Sequence, residues 1–218
     1  MKVVQINSFC GRGSTGKICM GISKCLNDND IENYVLYSVG HTDYPYAIKC
    51  TEKFSKLQAL RSRIKGNYGF NSYRTTKELI KNIEEINPSI IHLHNMHSHN
   101  CDLEKLFSYL RHKNIRLIWT FHDCWCFTAY CPHYTMEKCY KWKKQCMECT
   151  QYRTYSWFKD NSRWLFNKKK KVLSNLDLTI VTPSVWLKKQ VEESFLKNYS
   201  IKVINNGIDL DVFKPRIS

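Results

Sequence analysis

Short apolar runs alternate along the chain with segments whose apolar residues recur at helical spacing. Val3 to Asn7 predicts a buried strand, and Ile18, Ile22 and Leu26 then follow at the period of a helix. The same pattern predicts strands at 34–37, 89–94, 115–121, 178–181 and 201–204, and helices at 52–65, 79–86, 102–112, 151–175 and 183–195. Strands that alternate with helices are typical of a parallel sheet with both faces covered. The predicted fold class is therefore α/β.

A glycine-rich turn, residues 11–17, joins the first strand to the first helix. Its spacing superficially matches a phosphate-binding P-loop, but Ile18 stands where that motif has a magnesium-binding Ser or Thr. No predicted strand ends in an Asp that would serve as the partner ligand, which argues against an ATPase or kinase. Glycine still lets the backbone approach a ligand, and a helix N-terminus offers N–H groups to an anion. The alternative is a turn that only connects two elements.

Polar side chains follow two later strands. His92 and His94 lie two apart on a strand and share a face, and His122 and Asp123 come directly after another strand. Ligands of α/β sheets bind beyond the carboxyl ends of the strands, which makes these residues candidate ligand contacts. His122 is a candidate to orient a substrate hydroxyl, or it caps the loop. The histidine pair is either hydrogen-bonded structure or, without a third ligand nearby in sequence, a metal pair.

The positive charge is concentrated in two segments. The 218 residues carry a net charge of +15, to which residues 49–77 contribute +7 and residues 138–171 contribute +9. Such segments indicate an anionic partner (phosphate groups, nucleic acid or an acidic membrane surface) or a solvated lysine-rich surface. No apolar run approaches the ~18 residues that a membrane-spanning helix needs, and the N-terminus is too short for a signal-peptide core. We therefore expect a cytosolic chain.

Six of the eleven cysteines lie between residues 124 and 149. Two cysteine pairs would supply the four thiolate ligands of a tetrahedral zinc site. Seven residues separate the members of the first pair, and two residues separate those of the second. The predicted ligands are Cys131, Cys139, Cys146 and Cys149, with His133 as a substitute. Zinc would fold an insertion, residues 122–150, that has little apolar core of its own. The first spacing is wider than usual for zinc knuckles, and disulfides or free buried thiols are the alternatives.

Taken together, these motifs resemble the N-terminal half of a family 4 glycosyltransferase of the GT-B fold, especially bacterial enzymes that assemble polysaccharides of the colanic-acid type. The motifs that carry the resemblance are at residues 13–18, 88–95, 120–128, 131–134 with the later cysteines, 182–187 and 203–215. The resemblance covers essentially the whole chain in the right order. It implies a Rossmann-like parallel sheet flanked by helices, with the Cys-rich insertion added.

The resemblance also implies a domain organisation. Residues 1–204 correspond to the acceptor-side Rossmann-like domain, with the insertion at 122–150, and residues 205–218 begin the linker to a second domain. In the family that second domain binds the sugar nucleotide and carries two glutamates eight positions apart, and no such pair occurs here. We therefore expect a truncated chain that is inactive alone, or a second chain that supplies the donor domain.

The family implies a retaining transfer of a sugar from a sugar nucleotide, with no catalytic metal. Fixed donors would stabilise the charge of the departing diphosphate. The implied catalytic residues are His122 and Asp123. The implied substrate-binding residues are Gly11, Gly13, Ser14, Thr15, Gly16, Lys17, His94 and Asn95.

The basic segments suit a lipid-linked or saccharide acceptor at an anionic membrane surface, with basic residues at Arg61, Arg63, Lys65 and 168–171. This predicts a peripheral protein at the inner face of the cytoplasmic membrane that builds lipopolysaccharide or a related polysaccharide. The resemblance implies no nucleic-acid partner. The alternative is a basic zinc-bearing nucleic-acid-binding module, which the charge, the cysteines and lysine-interleaved aromatics favour, although no recognised nucleic-acid motif is present.

Overall fold

In the described part of the chain, seven strands form one parallel sheet. The structure is a computed structural model that describes residues 1–50, 55–97, 101–208, 210 and 213–214. The strands are β1 (Lys2–Phe9), β2 (Glu32–Val39), β3 (Ala47–Lys49), β4 (Ile90–Leu93), β5 (Arg116–Thr120), β6 (Leu178–Thr182) and β7 (Ser200–Val203). Every neighbouring pair is parallel. The predicted α/β, Rossmann-like sheet is confirmed.

The strand order reverses direction at β1. The order is β3-β2-β1-β4-β5-β6-β7, so the chain first adds strands on one side of β1 and then on the other. In open α/β sheets, ligands bind beyond the carboxyl ends of the strands at such a reversal. The segments that follow β1 and β4 therefore flank the expected binding crevice.

The helices are α1 (Gly13–Asn27), α2 (Ser55–Lys65), α3 (Tyr73–Ile86), α4 (Leu103–Leu110), α5 (Tyr152–Tyr155), α6 (Ser162–Val172) and α7 (Val185–Glu192). Two begin at side-chain caps: Asp102 accepts from the Lys105 N–H at 3.1 Å, and Ser184 accepts from the Leu187 N–H at 3.2 Å. Among the described residues no side chain caps the start of α1. The cap position therefore supplies no side-chain oxygen to the first N–H groups of α1.

The two faces of the sheet differ in polarity. On one face, apolar side chains of β1, β4, β5 and β6 join a single core with residues of α3, α4 and α6. On the other face, Gln5 of β1 is in register with His92 of β4, and α1 packs above Gln5. Because side chains alternate along a strand, this face also carries Asn7, His94 and Thr120. We call Gln5, Asn7, His92, His94 and Thr120 the polar strip.

Several elements differ from the sequence expectation, among them α3, which begins at Tyr73 and not near residue 79. The short strand β3 was not predicted, because three half-buried residues give no alternation to recognise. The helix predicted over 151–175 is two helices, α5 and α6, since Asp160 accepts from the backbone N–H groups of Cys149 and Ser162 and holds a loop between them. The helix predicted at 52–65 is α2 from residue 55, and 52–54 lie outside the described residues.

The insertion at 122–150 has a substantial apolar core, contrary to the expectation that it lacks one. It contains three short 3₁₀ turns, at Trp125–Phe127, Tyr134–Glu137 and Lys141–Lys143. The Trp142 ring packs at centroid distances of 4.9 Å from Phe127 and 5.0 Å from Tyr134, and all three rings are buried. These rings belong to the same apolar cluster as the strands. The insertion therefore folds as part of the domain core.

Candidate active site

Polar residues near the end of β1 hold the segment that follows β4. The Asn7 Oδ1 atom accepts from the Asn95 N–H at 3.0 Å, and Asn7 Nδ2 donates to Thr15 Oγ1 at 3.3 Å. The Ser8 hydroxyl lies 2.9 Å from the carbonyl oxygens of both Asn95 and His97. Asn7 therefore connects the start of α1 to the β4 segment across the crevice.

The glycine-rich turn presents its backbone to solvent. Gly11 and Gly13 have φ angles of 70° and 65°, a region that side chains with a Cβ rarely occupy, and residues 11–14 and Lys17 are exposed. Gly16 is buried, and a Cβ at this position would lie 3.3 Å from the Gly11 nitrogen. Glycine at 16 thus allows α1 to begin directly against the turn. An anionic or hydroxylated ligand can approach this backbone closely.

A continuous hydrogen-bonded chain runs from α1 through the polar strip to His122. Gln5 Nε2 donates to Ser23 Oγ at 2.8 Å and to the Cys19 carbonyl oxygen at 3.1 Å. Gln5 Oε1 lies 3.1 Å from His94 Nε2, and His94 Nδ1 lies 3.1 Å from His122 Nε2. The His94 and His122 rings are nearly parallel, at an interplanar angle of 16°. The two predicted histidines are therefore in direct contact.

Burial keeps these imidazoles neutral. Burial, and then the neighbouring His92 and His122, lower the pKa of His94 well below its usual range, and burial likewise lowers the pKa of His92 to about 4. Burial also lowers the pKa of His122, although the Asp123 carboxylate opposes the shift. At neutral pH each ring consequently has one donor nitrogen and one acceptor nitrogen.

Asp123 contacts His97 next to this histidine chain. Its Oδ2 atom lies 2.9 Å from His97 Nε2, and its Oδ1 atom accepts from the Trp125 N–H at 2.8 Å. Burial alone would raise the pKa of Asp123, but the hydrogen bond and charge of His97 and the Trp125 N–H outweigh it and lower the pKa. Asp123 is therefore ionised, and it fixes the start of the insertion next to His122.

Sequence comparison assigns a family to this arrangement. The family model described as Glycosyltransferase Family 4 matches residues 19–212, which is most of the chain. The chain belongs to glycosyltransferase family 4. This membership confirms the resemblance that the motifs indicated, and it gives no support to the alternative of a zinc-bearing nucleic-acid-binding module.

Two proteins to which this family 4 chain is similar are both longer than it. It is 24% identical over 236 residues to the putative colanic acid biosynthesis glycosyl transferase WcaC of Escherichia coli (strain K12), a match that covers 96% of this chain and 55% of the relative. The solved structure of sucrose-phosphate synthase from Thermosynechococcus elongatus superposes with a TM-score of 0.59 at 12% identity, over 98% of this chain and 50% of that one. The chain thus spans about half the length of these relatives. The structural match supports the fold alone.

The structure brings most of the predicted site residues of this family 4 chain to one edge of the sheet. Thr15, His94, Asn95, His122 and Asp123 are linked through the contacts described above. The exposed residues Gly11, Gly13, Ser14 and Lys17 lie in the adjoining turn, with Gly16 beneath them. His99 lies outside the described residues. The roles assigned to these residues stay predictions.

Sequence reasoning did not identify Gln5, Asn7 and Ser8 as site residues. The signal for the first two was present, since they alternate with apolar residues in an otherwise buried strand and so share one face. A polar residue repeated on one face of a buried strand indicates either a ligand site or a hydrogen-bonded network. Here Gln5 and Asn7 form such a network directly beneath the crevice.

The predicted zinc site is not supported. Among the described residues, no group of three or more His, Cys, Asp or Glu side chains is arranged to hold a metal ion. This result concerns Cys131, Cys139, Cys146 and Cys149, which, like the other seven cysteines, are free of disulfides. Cys131 instead donates a hydrogen bond to Cys149, which raises the pKa of Cys131 and lowers that of Cys149. Buried aromatic rings and Lys169 stabilise the insertion, which is the role that the prediction assigned to zinc.

The lysine run at 168–171 is not the continuous basic surface that its sequence suggested. Lys169 is fully buried, and its Nζ donates to the carbonyl oxygens of Trp125, Thr128 and Ala129 at 2.7, 3.0 and 3.1 Å. Lys168 forms an ion pair with Glu104. Only Lys170 and Lys171 of this run are exposed and extend the basic surface.

Proposed function

We propose that this chain is the acceptor-side domain of a retaining glycosyltransferase, which transfers a sugar from a sugar nucleotide to a lipid-linked or saccharide acceptor in cell-surface polysaccharide assembly. The family assignment together with the hydrogen-bonded polar residues at the β1/β4 reversal carries the proposal. The name of the E. coli relative adds the polysaccharide context. The chain spans half of its relatives, which supports a donor-binding domain contributed from outside these residues.

In this proposal the residues of the crevice have different roles, which follow from their chemistry. His122, neutral and partly exposed, faces the reacting sugar or an acceptor hydroxyl, and Asp123 holds the neighbouring loop through Trp125. The exposed glycine-rich turn and the uncapped start of α1 approach the diphosphate of the donor or of a lipid-linked acceptor. No metal is required, because charge on the departing diphosphate is stabilised by these fixed N–H donors.

Binding measurements on the purified chain test the acceptor-side assignment. We expect saturable binding of a short-chain polyprenyl diphosphate saccharide, weakened about tenfold in His122→Ala by loss of one hydrogen bond to a ligand hydroxyl. His112→Ala, at an exposed histidine just after α4 and outside the insertion, serves as the matched control and should bind like the unmodified chain. We expect no sugar-nucleotide hydrolysis or transfer by the 218-residue chain. Robust turnover, or acceptor binding equal in both variants, would refute the assignment.

A surface on α2 supports a membrane-bound acceptor. The polarity of this helix's faces is opposite to that of an ordinary surface helix. The polar residues Gln58 and Ser62 are buried, whereas three apolar residues are exposed: Leu57, Leu60 and Ile64, at 43%, 41% and 44%. The exposed bases Arg61, Arg63 and Lys65 lie among them. We define these six exposed residues as the α2 surface.

Two further aromatic residues adjoin the α2 surface. The Trp157 N–H donates to the Arg63 carbonyl oxygen at 2.8 Å, which places the exposed Trp157 and Phe158 next to the end of α2. Apolar side chains interleaved with bases match an anionic lipid surface, where aromatic rings occupy the headgroup level and cations meet lipid phosphates. In the described residues, no helix is both long enough and apolar enough to cross a membrane. Peripheral attachment at the inner face of the cytoplasmic membrane is therefore the proposed location.

Vesicle sedimentation tests the α2 surface. We expect binding to vesicles containing phosphatidylglycerol and little binding to pure phosphatidylcholine. Arg61→Gln should weaken binding about fivefold, because each cation near an anionic surface contributes about 1 kcal/mol, and Leu60→Ser should also weaken it. Lys24→Gln, at an exposed position of α1 outside both basic segments, is the control for charge, and Met136→Ser, at an exposed position in the insertion, is the control for apolarity. Equal losses in the control and α2 variants would contradict the proposal.

A further inference from the structure

The orientation of the buried Gln5 amide is fixed by α1. The Cys19 carbonyl oxygen can only accept a hydrogen bond, so the Gln5 atom 3.1 Å from it must be the amide nitrogen. Ser23 Oγ, 2.8 Å from the same nitrogen, accepts its second proton. The Gln5 oxygen therefore points to His94, and a flipped amide would set two acceptors against each other in a fully buried site.

This orientation determines which nitrogen of His94 carries the proton. Gln5 Oε1 is an acceptor 3.1 Å from His94 Nε2, so Nε2 is protonated and donates. His94 is neutral because burial holds its pKa well below neutrality, and its second nitrogen, Nδ1, is consequently an acceptor. Nδ1 is the atom that faces His122.

The same reasoning extends one step further, to His122. Its Nε2 atom lies 3.1 Å from the acceptor Nδ1 of His94 and therefore carries a proton. In the neutral ring, the remaining nitrogen of His122, Nδ1, then bears a free lone pair. His122 is partly exposed at the crevice, whereas His94 and Gln5 are buried.

We infer that Gln5 is a positioning residue that, through His94, holds His122 in the tautomer protonated on Nε2, so that Nδ1 accepts a hydrogen bond from a hydroxyl group of the bound saccharide. The inference rests on the proposed function for the identity of that ligand. It specifies the chemistry of the contact: His122 binds a donor such as a sugar hydroxyl, and the same nitrogen is poorly suited to a phosphate oxygen or a carbonyl.

Nitrogen-15 NMR of the histidine side chains tests the tautomers on the unmodified chain at neutral pH. Two-dimensional proton–nitrogen spectra distinguish a protonated ring nitrogen from an unprotonated one. We expect Nε2 to be protonated and Nδ1 unprotonated in both His94 and His122, with resonances assigned from the His94→Gln and His122→Ala variants. A proton on Nδ1 of His122 would overturn the inference.

Three substitutions separate positioning from general packing. Gln5→Met preserves length but removes the acceptor, so we expect His94 to protonate Nδ1 and His122 to become protonated on Nδ1. Gln5→Glu in its protonated form, which burial favours, donates to the Cys19 carbonyl oxygen, keeps its other oxygen as an acceptor toward His94 and should restore the original spectrum. Ser23→Ala removes one bond of the network but leaves the Cys19 carbonyl to orient the amide, and should leave the tautomers unchanged. An unchanged spectrum in Gln5→Met, or an equal change in Ser23→Ala, would refute the role of Gln5.

Ligand binding provides the second readout. With the short-chain polyprenyl diphosphate saccharide as the probe, we expect Gln5→Met to weaken binding about tenfold, as loss of one hydrogen bond predicts, and Gln5→Glu to recover it. If the tautomers follow the prediction but no variant binds this saccharide, the proposed function fails and the positioning role stands. If the saccharide binds equally to Gln5→Met and to the unmodified chain, the role of Gln5 in ligand recognition is refuted.

Discussion

Lys169 shows how one buried charge can organise a loop. Its ammonium group binds three carbonyl oxygens at the start of the insertion and lies 3.5 Å from the centroid of the Trp125 ring. The Trp125 ring is in turn 5.6 Å from His97, the partner of Asp123. Lys169 thus supports the contact between His97 and Asp123, next to His122, through the backbone that carries Trp125.

The buried position of Lys169 predicts a pH-dependent stability. Burial lowers its pKa from 10.5 to about 7, although Cys126 and other nearby groups oppose the shift. Between pH 7 and 10.5 the unfolded chain therefore binds more protons than the folded one, and the contribution of Lys169 to the free energy of unfolding rises with pH. Urea unfolding of the unmodified chain should show this rise relative to Lys169→Met. We expect Lys169→Met to cost roughly 3 kcal/mol at pH 9, because it removes both N–H donors of the neutral amine from buried carbonyl oxygens.

A parallel pH slope in the Lys169→Met variant would contradict this assignment. Comparing slopes between the two proteins cancels the contribution of thiols such as Cys124, whose pKa burial raises to about 12 in the folded chain and which therefore loses its proton at lower pH when unfolded. Lys170→Met, at an exposed neighbouring position, should differ little from the unmodified chain.

The lowered pKa of Asp123 predicts that the free energy of unfolding decreases at acidic pH. Its pKa is lowered in the folded chain, so its stabilising contribution is fully present above the unfolded pKa, near 4, and is lost as the pH falls through the folded value. Asp123→Asn keeps an acceptor for the Trp125 N–H but removes the charge facing His97. We expect a loss of about 2 kcal/mol at pH 7 that shrinks toward pH 2, measured by urea unfolding. A constant difference across that range would show that the pair with His97 is not the cause.

At the scale of elements, α1 offers two glycines with opposite roles. Gly16 is buried where the helix begins against the turn, and a Cβ there would lie 3.3 Å from the Gly11 nitrogen and 3.4 Å from the Phe9 carbonyl oxygen. Gly21 is exposed in the middle of the helix, with no atom within 4 Å of an added Cβ. One helix thus contains a glycine that the fold requires and one that it does not.

Substitution of glycine by alanine should therefore have opposite effects on stability at these two positions. Gly21→Ala should stabilise the chain by about 0.5–1 kcal/mol, the difference in helix propensity. Gly16→Ala should destabilise it, because the backbone of the turn has to move to admit the methyl group. Thermal unfolding of the two variants measures both effects. Destabilisation by Gly21→Ala, or stabilisation by Gly16→Ala, would contradict the packing described at the start of α1.

The sequence predicted the elements better than their contacts. The alternation of apolar strands and helices was sufficient for the sheet, and periodicity placed His92 and His94 on one face. The connection of Gln5 to His94 needs the register of β1 with β4, which arises only when distant segments pair. The burial of Lys169 could not be predicted for a similar reason. It is one of four consecutive lysines, and only contacts with a distant segment determine which of the four is buried. The cysteine spacing suggested a zinc site that the structure does not support, because spacing along the chain carries no information about the aromatic packing around the cysteines.

At the scale of the whole molecule, the insertion and the sheet share one apolar core. Trp142 of the insertion belongs to the same cluster as Trp119 of β5 and Phe166 of α6. Trp119 also donates from Nε1 to the His94 carbonyl oxygen at 2.8 Å, so this core directly supports the histidine chain. The insertion is consequently part of the scaffold that positions the crevice.

This shared core predicts a single cooperative unfolding transition. Trp142→Ala should lower the free energy of unfolding of the entire domain by about 3–5 kcal/mol, because it opens a large cavity among buried rings. Circular dichroism, which follows the helices, and tryptophan fluorescence, which follows the rings, should report the same midpoint in both proteins. Trp157→Ala removes a half-exposed indole and should cost far less. Two separate transitions, with only the fluorescence midpoint lowered by Trp142→Ala, would mean that the insertion folds as an independent unit and does not brace the crevice.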